Sequence, residues 1–207
     1  MPAAEGARFA GTDLACRRGG RGVFEGLSFA LGAGDALMLR GRNGSGKSSL
    51  LRLLAGFLRA SAGRVSWRGE DVAAEPLAHR CRVHYVGHAD AVKPVLTVLE
   101  NLAAAAALAG GTVDHVAALA AMGLDRLAHS PARFLSAGQR RRLALARLAA
   151  TARPLWLLDE PGTGLDRPSR ARLEALIGRH RSAGGVVVVA THGDVAVEAP
   201  LVLDFDA

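Results

Sequence analysis

The stretch Gly41-Arg42-Asn43-Gly44-Ser45-Gly46-Lys47-Ser48 decides how the chain is read. Four residues separate a first glycine from a final Gly-Lys-Ser, which is the spacing of a phosphate-binding loop. Glycines permit backbone angles that a Cβ forbids, so successive N–H groups can turn toward one point. Together with the N-terminus of the helix that follows, those groups make a site for β- and γ-phosphates. Lys47 adds a compact positive charge against the phosphate oxygens. The Ser48 hydroxyl suits a Mg²⁺ that bridges them, and Ser49 opens the helix. The flanks agree. Asp35 to Arg40 is a short apolar run that reads as a buried strand, and Ser49 to Leu58 reads as a helix with a wide apolar face. A plain Gly-rich turn would fit the glycines alone. Lys47 argues against it, because Lys47 and Lys93 are the only lysines in the chain.

Composition narrows the rest. The chain has 207 residues, half of them apolar, enough for one domain with a real core. Its net charge of +7 raises the question of nucleic acid or an anionic membrane. The arginines are scattered, however, and aromatics are too few to interleave with them as base-stacking surfaces require. No uncharged apolar run approaches the ~18 residues of a membrane span. The N-terminus lacks a charged start followed by an apolar run, so a cytoplasmic protein without a signal peptide is expected. Cys16 and Cys81 form no Cys-x-x-Cys pair and are expected to be small buried residues. The seven histidines show neither zinc spacing nor a haem-attachment motif.

In chain order, residues 6–40 look rich in strands, with a turn at Gly32 to Gly34. Arg64 to Trp67 continues this pattern, and antiparallel strands here would form a small lobe for the base of a nucleotide. Val83 to Val86 is a short strand ending at Gly87-His88. Thr97 to Glu100 is a capping box, opening an Ala-rich helix to about Leu108 that Gly110-Gly111 stops. A second helix is expected over 113–121. A long helix runs from Ser136 to about Ala150, with Arg140, Arg141, Arg142 and Arg147 read as a solvated face. Pro154 to Leu158 is apolar throughout and reads as a central strand of a parallel sheet. Asp159 and Glu160 follow at its carboxyl end, where open α/β sheets bind ligands. Asp166 is a candidate helix cap. Val186 to Ala190 is another buried strand, with Thr191-His192 at its end, and Leu201 to Leu203 is the last.

Several motifs in fixed order say more than one. After the phosphate loop come Leu135-Ser136-Ala137-Gly138-Gln139, Leu157-Leu158-Asp159-Glu160-Pro161, Gly164-Leu165-Asp166 and Val189-Ala190-Thr191-His192. With these the chain resembles the ATP-binding subunits of ABC transporters over essentially its whole length. The resemblance implies a single α/β domain over 1–207 of the P-loop type. Its parts would be a mostly parallel core sheet with a small antiparallel β lobe, about 1–88 and 151–207, and a helical insert, about 89–150. It implies ATP and Mg²⁺ as ligands, with Ser48 and Asp159 on the metal. Glu160 would act on the attacking water and His192 would donate to the γ-phosphate. It also implies a head-to-tail dimer, in which Ser136, Ala137, Gly138, Gln139 and Asp166 close on the partner's ATP.

Two positions depart from that family. His88 stands where a Gln is usual, and becomes a candidate catalytic residue. Arg17 and Arg18 stand where an aromatic residue usually stacks on adenine, and Arg18 can stack on a purine instead. Gly87-His88, Lys93, Leu96-Thr97 and Glu100-Asn101-Leu102, with Cys16-Arg17, are similar to the ATPase subunits of cytochrome c biogenesis haem exporters. That narrower resemblance implies integral membrane partners of the CcmB and CcmC kind, and a peripheral place on the cytoplasmic face of the bacterial inner membrane. It implies no contact with nucleic acid or with the transported species. An ABC ATPase for another substrate, and a soluble ABC ATPase, are the alternatives.

Overall fold

Strands β1 (Phe9–Arg18) and β2 (Arg21–Leu31) meet at Gly19-Gly20, both with positive φ, the turn sense that matches strand twist. β4 (Ala62–Trp67) pairs with β1, and the short β5 (Glu70–Asp71) closes an antiparallel sheet of order β2-β1-β4-β5. This computed structural model describes residues 6–109 and 114–206. The expected stop at Gly110-Gly111 lies outside those residues.

A second sheet of five parallel strands runs in the order β6-β7-β8-β3-β9. Its members are β3 (Ala36–Arg40), β6 (Val83–Val86), β7 (Leu155–Asp159), β8 (Val186–Ala190) and β9 (Leu201–Asp204). β7 and β8 are buried at every position, and side-chain alternation explains why. Leu155, Leu157, Val186 and Val188 join the apolar cluster on the side of α1 (Lys47–Leu54) and the antiparallel sheet. Trp156, Leu158, Val187 and Val189 join the cluster on the other side. Such double burial needs the unbroken apolar runs seen in the sequence.

α1 is shorter than the pattern suggests. It ends at Leu54 because Gly56 turns left-handed, with φ 73°, as helix C-termini commonly do. The helix α2 (Pro76–Cys81) precedes β6. Between β6 and β7 the described chain is mainly helical, with α3 (Val98–Ala109), α4 (His115–Ala121) and α5 (Ala137–Ala150). The capping box forms: Thr97 N donates to Glu100 Oε2 at 2.7 Å, and Glu100 N donates to Thr97 Oγ1 at 3.2 Å. Leu102, Leu119 and Leu145 pack in one cluster with sheet residues and with Leu173 of α6 (Arg167–Ser182). The helical stretch therefore shares a core with the sheet. Cys16 is buried, whereas Cys81, at the end of α2, is exposed, contrary to expectation.

Two histidine rings pack on Trp156: His180 stacks at 3.9 Å between centroids, and His84 meets it edge-on. Burial pulls both pKa values down to about 4. The unfolded chain takes up these protons near the ordinary value of 6.5. Stability is therefore full above about 6.5 and is lost as pH falls toward about 4. For His84 that loss is on the order of 3 kcal/mol. In a His84→Gln variant the melting temperature should fall less steeply over this range. A slope equal to that of the natural chain would exclude His84 as a contributor.

Candidate active site

Adjacent strands β6, β7, β8 and β3 point their carboxyl ends toward one edge of the sheet, the usual place for a ligand in an open α/β sheet. Those ends carry Gly87-His88, Asp159-Glu160, Thr191-His192 and the phosphate loop. A cleft of about 900 Å³ lies there. Asn43, Gly44, Gly46, Lys47, Ser48 and Ser49 line one wall. His88, Asp159, Glu160 and His192 line the other, and Arg18 reaches in from the end of β1. Gly46 is the N-cap of α1, with φ 113°. A Cβ there would come within 2.8 Å of Val23 Cγ1, so glycine lets the antiparallel sheet close over the loop.

Within the cleft the polar groups are already ordered around one another. Lys47 is buried, and its Nζ donates to the carbonyls of Gly41 and Arg42 at 2.5 and 2.9 Å. The loop thus curls around its own ammonium group. The Ser48 hydroxyl donates to Asp159 Oδ1 at 3.1 Å. Glu160 has φ 48°, a left-handed angle uncommon for a side chain of its type. Its backbone N–H donates to Ala190 O at 2.9 Å, which ties it to β8. Its carboxyl pKa is raised, first by burial, which outweighs the lowering by His192. His192 Nε2 lies 2.8 Å from Asn43 Oδ1 and 3.3 Å from Glu160 Oε1. This one ring bridges the phosphate loop and the carboxylate.

Other residues singled out in the sequence lie elsewhere. Gly41, Arg42 and Ser45 belong to the loop without bordering the cleft, and Arg42 N donates to Asp206 at 2.9 Å. None of Ser136, Ala137, Gly138, Gln139 or Asp166 lines it. Ser136 caps α5 in a reciprocal box with Gln139, at 3.2 and 2.8 Å, and stands exposed with Ala137. A Cβ on Gly138 would meet Gly164 O at 3.1 Å. This helix start therefore packs against the loop before Asp166, which caps α6 through Ser169 N at 2.9 Å. The two segments form a second polar surface on the same chain, apart from the cleft.

Residues 24–163 match the ABC transporter family. The "Cytochrome c biogenesis ATP-binding export protein CcmA" of Rhodospirillum rubrum is 60% identical over 96% of this chain and 85% of its own length. The protein of the same name from Paramagnetospirillum magneticum is 54% identical over 96% and 94%. The chain belongs to the CcmA group of the ABC transporter family. The fold of this ABC ATPase is correspondingly like that of a putative ABC transporter ATP-binding protein from Pyrococcus furiosus. The TM-score is 0.83 at 20% identity, over 96% of this chain and 97% of that one. The protein is an ATP-hydrolysing enzyme of the ABC type.

The ABC ATPase also holds groups that its sequence concealed. Arg141 is 6% exposed, and its guanidinium lies among the carbonyls of the β7 end. Arg142 donates to the carbonyls of Met122 and Gly123 at 3.1 and 3.0 Å, and Arg147 to those of Asp90 and Ala91 at 2.7 and 2.8 Å. The expected solvated face is instead a set of cations that pin loops. A run of three arginines reads as surface charge. Only the buried apolar residues one turn further on, Ala144 and Leu145, hint that Arg141 turns inward.

Proposed function

We propose that this ABC ATPase drives an export complex serving c-type cytochrome biogenesis, through haem export or the release of a haem-loaded chaperone. The observation that carries the hydrolytic part is the contact of Ser48 with Asp159 at 3.1 Å, beside Glu160 and the phosphate loop. A hydroxyl and one carboxylate are hard oxygen donors, and they fit Mg²⁺, which prefers few protein ligands and keeps phosphate and water for the rest. Among the described residues no cluster of three or more His, Cys, Asp or Glu competes for that role. Bound there, Mg²⁺ would neutralise charge developing on the phosphates. Lys47 and the loop N–H groups hold the β/γ oxygens, and Arg18 stacks on the base. Glu160, its pKa raised by burial, orients and deprotonates the attacking water. His192, whose Nε2 lies against Asn43 and Glu160, would turn that N–H to the γ-phosphate once ATP is bound, and His88, on the same wall as Asp159, would face the water or the metal.

The second polar surface, at Ser136 to Gln139 and Asp166, supports a head-to-tail dimer in which it meets the partner's ATP. Backbone donors at a helix start suit the γ-phosphate. Among the described residues no helix is long and apolar enough to cross a membrane. Attachment to integral membrane subunits of the CcmB and CcmC kind, at the cytoplasmic face of the inner membrane, would use protein contacts. A groove of about 310 Å³ between Phe57, Tyr85, Ala105 and Leu108 supports that reading. Phe57 and Leu108 are 53% and 91% exposed, which is costly to leave in water.

The test is haem staining of c-type cytochromes in a strain that carries Glu160→Gln as its only copy. Loss of the stained bands, with other haem proteins unchanged, is expected. Normal c-type cytochromes would reject this role and leave an ABC ATPase for another substrate.

A further inference from the structure

We propose that Arg141 is a positioning residue that clamps the Glu160 backbone to the loop bearing His88, so that the wall of the cleft facing the phosphate loop keeps one geometry. The inference rests on the reading of Glu160 as the base. From α5, the guanidinium donates to Asp159 O at 3.0 Å, Glu160 O at 2.7 Å and Pro161 O at 3.3 Å. On its other side it donates to Gly87 O at 2.9 Å and to Asp90 Oδ1 at 3.2 Å. A flat fork with five N–H donors in fixed directions suits acceptors spread over two segments better than a single ammonium point charge does.

The need for such a clamp is visible in the backbone. Glu160 and Ala91 have φ of 48° and 51°, angles that cost a non-glycine residue roughly 1–3 kcal/mol and persist only where surroundings impose them. The Ala190 carbonyl holds Glu160 by its N–H. Arg141 holds the same peptide chain by the carbonyl on the far side. Arg147 fixes the other end of the His88 loop through Asp90 O and Ala91 O. The side chain of Arg141 is 7% exposed and that of Asp90 26%, so Asp90 balances the buried charge at close range. Arg141 borders neither the cleft nor a phosphate position. It acts on the reaction through the groups it positions, Glu160 foremost.

The test is a kinetic cycle on the full chain with Mg-ATP. Arg141→Gln should lower kcat by roughly 10–100-fold, the scale of a misplaced catalytic group, with the ATP KM changed less than about 3-fold. Arg141→Lys keeps the charge but cannot span both segments, and should fold with the same kcat loss; it takes the place of Arg141→Gln if that variant does not fold. In Glu160→Gln protein, the same Arg141 substitution should lower the residual kcat by less than about 2-fold. Amide exchange in Arg141→Lys should rise over both 87–91 and 160–163. Equal kcat losses with and without Glu160, or exchange rising at only one segment, would overturn the clamp and leave Glu160 as the base. Natural turnover by Glu160→Gln alone would remove the base reading, and this inference with it.

Discussion

A Glu160→Gln variant should bind ATP normally while its hydrolysis falls about 10²-fold or more, the scale for a positioned general base. The amide keeps the shape and a hydrogen-bonding oxygen, so contacts with His192 Nε2 can persist. It removes the basic site. Burial raises the Glu160 pKa toward the range in which a carboxylate accepts a proton well. With chemistry blocked and ATP bound, the dimer should accumulate. Filter binding, phosphate release and light scattering measure the three effects. Phosphate release at the natural rate would dismiss Glu160 as the base.

The second large effect belongs to Lys47. Lys47→Ala should weaken ATP binding by roughly 10²-fold or more and abolish measurable turnover, because buried charge-assisted contacts are among the strongest single polar interactions. The buried ammonium also holds the Gly41 and Arg42 carbonyls. The substitution therefore loosens the curl of the loop as well as deleting a charge. The fold should survive, since the α1 apolar face of Leu50, Leu51, Leu53 and Leu54 is untouched. Circular dichroism separates this from unfolding, and ADP and ATP titrations measure the binding loss. Natural affinity would exclude Lys47 from phosphate binding.

Local rules sufficed wherever one physical cause dominated. Four apolar residues between Pro154 and Asp159, too short a run for a typical helix, indicate a strand covered on both faces, and β7 is that strand. Ser136 and Gln139, like Thr97 and Glu100, announce helix starts through bonds within one turn. The order of the strand ends was not available from local pattern. Loop, carboxylates and His192 converge because β8 pairs with β3 on one side and β7 on the other, which is a tertiary fact. Arg141 was missed for a related reason. Its partners are main-chain carbonyls far along the chain, and no side-chain pattern marks a carbonyl that needs a donor. The end of α1 differed because Gly56 acts through a left-handed angle, whereas Phe57 and Leu58 continued the apolar pattern.

The alternation along β7 has a consequence for how its length, as opposed to its composition, is constrained. Leu155, Leu157 and Asp159 share one parity, and that parity faces α1, which carries Ser48. The strand therefore has a reading frame. Leu155, Leu157 and Leu158 could be exchanged for Ile or Met at modest cost, since their surroundings ask chiefly for volume. Adding or removing one residue between Pro154 and Asp159 would preserve hydrophobicity and invert the frame. Asp159 would then turn toward the side of Trp156 and α5, away from Ser48. The metal pair would be dismantled by a change that leaves composition, charge and secondary structure almost untouched.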